Sequence, residues 1–329
     1  MPDSIKNEKF TRKIIYLLAQ METMSVDVLS GFYSKAGFKP NLKSWISFLS
    51  KFVLSLGILF IVSGVIFFFA YNWRELHKFA KLSIAGSLIL IPAIIALFSD
   101  LKKFYAKLSL LAVAIFTGSL LAVFGQIYQT GANAYDLFLN WAILITGIVV
   151  ISNFKPLWFL WLVLINISTV LFYGQIMWIW IDPYVFISLF AVDTVALLIY
   201  EYSGFKKNPQ FESRWLPRIL GFAAMSSMTV AGIIGIVTDF EEPGYLFCLI
   251  LAFISYAGVI YFYSRKVYDL SLIAVSFLCI IAVIFTIILK TSDFTSASIF
   301  FNGGLVIVVL TIASAALLIK INNAWKTQI

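Results

Sequence analysis

FVLSLGILFIVSGVIFFFAY, residues 52–71, runs for twenty positions without a charged side chain. A helix of that length rises about 30 Å, the thickness of a bilayer's hydrocarbon core. Inside lipid the backbone can satisfy its own N–H and C=O groups only as a helix or in a closed barrel, so this run predicts a transmembrane helix. Working outward, nine further apolar stretches follow: 82–98, 108–125, 137–152, 157–173, 184–200, 216–237, 244–263, 270–289 and 299–319. Those at 137–152 and 157–173 are short and are expected to stand untilted or to extend into their flanks. The predicted fold class is all-α: a polytopic membrane helix bundle of about ten transmembrane helices, preceded by a short cytoplasmic N-terminal helical segment.

Composition agrees with that frame. The chain is 61% hydrophobic and 12% charged, with a mean hydropathy of +0.97, whereas soluble domains carry roughly 25% charged residues. The basic residues sort between alternate connections. Segments 1–51, 99–107, 153–156, 201–218, 263–269 and 320–329 hold twenty Lys and Arg, and the opposite set holds four. By the positive-inside rule both termini are cytoplasmic. The net charge of +8 follows from this asymmetry. These charges flank spans and face anionic lipid, so no nucleic-acid partner is expected. About fifty mostly polar residues precede the first span, which is expected to act as an uncleaved signal-anchor. Cys248 and Cys279 fall inside spans, which excludes a disulfide framework, and the single histidine, His77, cannot build a His-rich metal site. No cofactor is expected.

Four segments organise the chain. Residues 1–50 form the cytoplasmic helical segment, with amphipathic spacing at Phe10, Ile14, Leu17 and Leu18 predicting a helix over about 7–21 and Ser25 capping a second one to Ala36. Residues 51–200 form a front membrane half, 201–218 a basic Pro-containing cytoplasmic connection, and 219–329 a back half. The short run Gly174–Asp182 reads as an interfacial loop placing Trp178 and Trp180 at headgroup depth.

Unusual polar residues gather at three span ends on the outer side. Span one ends GVIFFFAYNW (64–73), span three ends FGQIYQTG (124–131), and span four opens DLFLNW (136–141). These runs resemble bacterial membrane proteins carrying domain of unknown function 2157, which typically show A-x-N-W at the end of the first span and a Q-I-Y … D … W element near the next hairpin. The resemblance covers about residues 10–155. It implies a multi-pass protein of the bacterial cytoplasmic (inner) membrane, and the family brings no assigned activity.

Two candidate sites follow from the residues themselves. Asn72, Gln126 and Asp136 are expected to converge on an outer-leaflet pocket walled by Trp73, Tyr128 and Trp141, where amides, one carboxylate and aromatic faces suit a sugar, a lipid headgroup or a cation. The competing reading makes the aromatics interface anchors and the amides helix caps. At mid-span, Asp193 costs on the order of 3 kcal/mol if ionised on insertion scales, so it should face the bundle interior, protonated or paired. Asn166 lies at matching depth, and together they form an intramembrane polar pair that is either structural glue or a site for proton or cation coupling. The expected partners are therefore the lipid bilayer, a small-molecule, sugar or lipid ligand, and a membrane protein partner. The function expected is a transporter or a small-molecule- or lipid-binding membrane subunit, more a binder than an enzyme. The alternatives are a transferase acting on a lipid-linked or sugar substrate with Asp136 as base, and a structural or assembly subunit without a ligand site.

Overall fold

A computed structural model describes residues 42–72, 76–129, 131–205, 214–291 and 297–328. Within them lie ten helices, each long and apolar enough to cross a membrane. They are α1 (Leu42–Asn72), α2 (Lys78–Leu97), α3 (Phe104–Tyr128), α4 (Ala134–Ser152), α5 (Lys155–Gln175), α6 (Pro183–Phe205), α7 (Trp215–Val237), α8 (Pro243–Phe262), α9 (Leu270–Thr291) and α10 (Ala297–Gln328). Each carries one expected span, those at 82–98 and 244–263 running one residue past α2 and α8, and no strand occurs among the described residues. The helices expected at 7–21 and 25–36 lie outside them.

The chain divides into two compact units, Met1–His77 and Lys78–Ile329. The described part of the first is α1 alone. At 31 residues it begins ten positions before the expected span, so residue 50 falls inside one continuous helix. The apolar run Trp45, Ile46, Phe48 and Leu49 carries it there, with Trp45 edge-on to Phe48 one turn away.

In the second unit each helix packs on its sequence neighbour, as short connections between antiparallel spans require. The two short spans reach adequate length by growing into their flanks: α4 has 19 residues and α5 has 21. Their ends are chemically marked. Asn133 and Asp136 form a reciprocal capping box at the start of α4. Pro156 occupies the first turn of α5, where its missing N–H costs nothing. Asp182 Oδ1 accepts the Tyr184 N–H at 2.8 Å to open α6.

Helix α7 is the most buried and packs against α6, α8 and α9. Gly221 permits this closeness, since a Cβ there would sit 2.4 Å from Leu272 of α9. Connection 201–218 thus joins two helices, α6 and α7, that pack together within one unit. Three buried clusters form the core: one among α7, α8 and α9 with Trp325 of α10, one among α3, α4 and α5, and one among α5, α6 and α7. Gly303 and Gly304 do not break α10, which runs helically through both.

Candidate functional site

Helices α5, α6 and α7 carry two cavities. Consecutive residues of α5 and α6 line one or the other: Ile165 and Val192 face the larger, Asn166 and Asp193 the smaller.

The smaller, about 420 Å³, holds the intramembrane polar pair together with Ser227 of α7. Asn166 Nδ2 donates to Asp193 Oδ1 at 2.9 Å across the α5–α6 interface. Asp193 is buried at 3% exposure. The second amide group is unsatisfied: Asn166 Oδ1 is a buried acceptor without a donor. Such an orphan costs about 1–3 kcal/mol. A protonated carboxyl carries an O–H donor that an ionised one lacks.

The larger cavity, about 1050 Å³, opens at the end of the bundle where the basic connections gather. Its rim consists of helix termini: Lys107 in the first turn of α3, Asn153 at the end of α4, Lys155 opening α5, Tyr200 and Ser203 closing α6, and Arg214 before α7. Below the rim the walls are apolar and aromatic, with Trp158, Trp161 and Ile165 on α5 and Val192 and Ala196 on α6. Trp161 is fixed by its indole N–H, which donates to Thr146 Oγ1 at 3.0 Å and to Ala142 O at 3.1 Å. Trp158 stands edge-on to it at 6.0 Å. The Lys155 ammonium lies 5.5 Å over the Tyr200 ring, and that of Lys107 lies 5.9 Å over Phe154.

Behind Arg214 a buried ionic network ties four helix ends. Arg214 donates to Glu201 Oε1 at 2.5 Å and to Asp269 Oδ2 at 2.8 Å. Arg218 reaches the same Asp269 oxygen at 3.1 Å. Tyr263 OH donates to Glu201 Oε1 at 2.8 Å. Glu201 and Asp269 are only 4% and 2% exposed, so the charges are mutually necessary. Burial by itself would raise the Asp269 carboxyl, but hydrogen bonds from Arg214 and Arg218 hold it below the usual carboxylate range. Burial likewise opposes the Arg214 charge, and Glu201 and Asp269 more than restore it.

At the other end of the bundle the sequence-derived group is placed as follows. Asn72 is the last residue of α1, in the first unit, and Trp73 lies outside the described residues. Gln126 and Tyr128 are exposed at the end of α3. Asp136 caps its own helix, accepting the Asn133 N–H at 3.2 Å. Trp141 turns into the α3–α4 seam, where its indole N–H donates to Ala114 O at 2.7 Å. A Cβ on Gly118 would meet its ring at 2.4 Å, so the pair is a close-packing contact. Among the described side chains, Gln126, Tyr128, Asp136 and Trp141 line neither cavity.

Sequence reasoning missed the basic-end residues because it counted Lys107, Lys155, Arg214 and Arg218 only for orientation. Two signals were present. Lys155-Pro-Leu-Trp158-x-x-Trp161 puts a cation and two indoles on successive turns of one helix, and the acids Glu201 and Asp269 sit at span ends otherwise populated by cations. That Arg214 joins acids 13 and 55 positions away is a tertiary fact.

Residues 16–158, 143 of the 329, match the sequence model of a family described as Predicted membrane protein (DUF2157). The match includes the motifs at 64–73, 124–131 and 136–141, covers nearly the same stretch as the resemblance over about 10–155, and ends in the first turn of α5, before α6 and α7. No curated protein and no solved structure matches the chain.

Proposed function

We propose that this protein is a membrane-embedded binding protein or transporter that holds a small molecule or lipid in the cavity bounded by α5, α6 and α7, with its basic end on the cytoplasmic side of a bacterial inner membrane. The observation that carries this reading is the cavity itself. At about 1050 Å³ it matches the upper range of ligand pockets, roughly 300–1,000 Å³. Interiors close-pack, and voids beyond a water's size are few. A void this large between helices that otherwise interdigitate at Gly221 and Gly118 is a vessel for something. The twenty-to-four distribution of Lys and Arg supports the orientation.

A binder fits better than the transferase alternative. Among the described lining residues there are cations, aromatics and aliphatics but no carboxylate to act as base and no second acid. The outer-end carboxylate, Asp136, is committed to the α4 capping box.

Native mass spectrometry of the full chain released from mild detergent tests this reading. The protein should retain one tightly held molecule from its source membrane. Ala196→Trp and Ala191→Phe each put a ring into the cavity and should release it. If both variants keep their helical content and the same retained mass, the cavity is not the binding site and the reading is wrong.

A further inference from the structure

We infer that the smaller cavity binds a monovalent metal cation, held at mid-membrane by oxygen atoms of Asn166, Asp193 and Ser227. This site is separate from the larger cavity, which none of the three residues lines.

Asn166 is the twelfth of 21 residues in α5, Asp193 the eleventh of 23 in α6 and Ser227 the thirteenth of 23 in α7. Three helices that pack in chain order therefore each bring one polar side chain to the middle of a span, onto one cavity of about 420 Å³. The rest of its lining is aliphatic. Coupling ions in membrane bundles are held near this depth. All three helices run unbroken through these positions, so side chains rather than freed backbone carbonyls supply the ligands.

The three groups present themselves as acceptors. Asn166 turns its amide nitrogen to Asp193 Oδ1, at 2.9 Å, and its amide oxygen is buried and receives no hydrogen bond. Ser227 Oγ donates its proton to Ala224 O at 2.8 Å, so towards a ligand it can only accept. Asp193, 3% exposed, accepts when ionised. An amide oxygen, a carboxylate and a hydroxyl oxygen are the ligand types that hard cations take. A water molecule satisfies the Asn166 oxygen but leaves the carboxylate charge in hydrocarbon. A cation answers both.

Charge fixes the valence. No Lys, Arg or His lines this cavity among the described residues, and one carboxylate balances one positive charge. A divalent ion would leave a net charge at the midplane. No group of three or more His, Cys, Asp or Glu able to hold a metal occurs among the described residues either. When the metal ion leaves, a proton on Asp193 restores neutrality. A proton by itself needs neither the second and third oxygens nor the room, whereas an ion keeping part of its water needs both, at about 30 Å³ per water.

The way in lies away from the basic end. From Asn166 the lining continues to Leu171 on α5, and from Asp193 to Leu189 on α6, towards the α5–α6 connection. Connections 174–183 and 238–243 at that end hold Asp182, Asp239, Glu241 and Glu242 and no Lys or Arg. Lys290 matches one of them, Asp239. The remaining negative field favours the approach of cations.

The test uses the full chain in mild detergent and mildly alkaline choline chloride, where protons compete least. Sodium or potassium chloride is exchanged in at constant ionic strength. Binding of radioactive sodium is read directly, and melting is followed by reaction of the buried Cys248 and Cys279 with a thiol-sensitive dye. One of the two ions should bind saturably and raise the melting temperature. At about a hundred times its dissociation constant it should raise the folded-to-unfolded ratio about a hundredfold. Asp193→Asn should abolish both effects, and Asn166→Ala and Ser227→Ala should each weaken the affinity. Absence of saturable binding and of ion-specific stabilisation in wild type overturns the inference, as does binding unchanged in a folded Asp193→Asn. Should that variant fail to fold, wild-type affinity in both Asn166→Ala and Ser227→Ala overturns it equally.

Discussion

Asp269→Ala should cost this protein a large share of its stability, because one buried carboxylate ties two arginines of the α7 end to the start of α9. Its side chain is fully buried and accepts from Arg214 Nε at 2.8 Å, from Arg218 Nε at 3.1 and 3.2 Å, and from the Ser271 N–H at 3.1 Å. The Arg214 bond is charge-assisted and buried, worth about 1.5–3 kcal/mol. The Arg218 side chain is 48% exposed, so screening reduces its contribution to about 0–1 kcal/mol. The Ser271 amide adds about 1 kcal/mol. Together these come to roughly 3–5 kcal/mol, the range seen when one partner of a buried pair is removed and the other charge stays behind. For a unit of this size that is a fall in melting temperature on the order of 10 °C. The chain supplies its own reporter: its two cysteines, Cys248 and Cys279, are buried and react with a thiol-sensitive fluorogenic dye only on unfolding. Asp239→Ala is the matched control. Its ion pair with Lys290 is shorter, at 2.5 Å, but the Asp239 side chain is 82% exposed, so the expected loss is about 0–1 kcal/mol. Melting of Asp269→Ala within about 2 °C of wild type, or an equal loss in Asp239→Ala, would refute the reasoning that burial decides the worth of these pairs.

Acid should act through the same group: with the folded Asp269 carboxyl below its ordinary value, its contribution is complete above the unfolded value near 3.9 and is lost as pH falls through the folded one, so wild-type melting should drop below about pH 4 more steeply than that of Asp269→Ala. Asp193→Asn should fold and express while losing any proton-coupled transport. A protonated-carboxyl band present in the wild-type infrared spectrum and unchanged in Asp193→Asn would count against a proton at that site. Reporter fusions at Asn133 and Lys207 should give outer and cytoplasmic signals respectively, and the same side for both would sink the orientation.

The membrane fold was legible because hydropathy and span length are local quantities. Twenty uncharged residues at 52–71 commit to a helix in lipid whatever surrounds them, which is why each expected span falls on one observed helix, within one residue at its ends. Helix ends were less so. The boundary at residue 50 fell inside α1, since Trp45 to Leu49 continue the same apolar face and no residue there stops a helix. The site was least legible. Trp141 and Asp136 have the composition of a ligand wall, but backbone groups claim them first: the Ala114 carbonyl of α3 accepts the Trp141 N–H, and the Asn133 N–H at the start of α4 donates to Asp136.

The sequence by itself determined the number of spans, their helical state and the sorting of charge between the two ends, because each depends on transfer of a segment between water and lipid, a sum over its own residues. Tertiary structure alone decided which charges meet. Lys107, Lys155, Arg214 and Arg218 are equivalent as counts. Only the packing of α3, α5, α6, α7 and α9 joins Arg214 and Arg218 to Glu201 and Asp269 and brings Lys107, Lys155 and Arg214 to the lining of one cavity. The reason is distance: a Coulomb or hydrogen-bond energy depends on separations of a few ångströms, and residues 13 to 55 positions apart acquire such separations only when their helices pack.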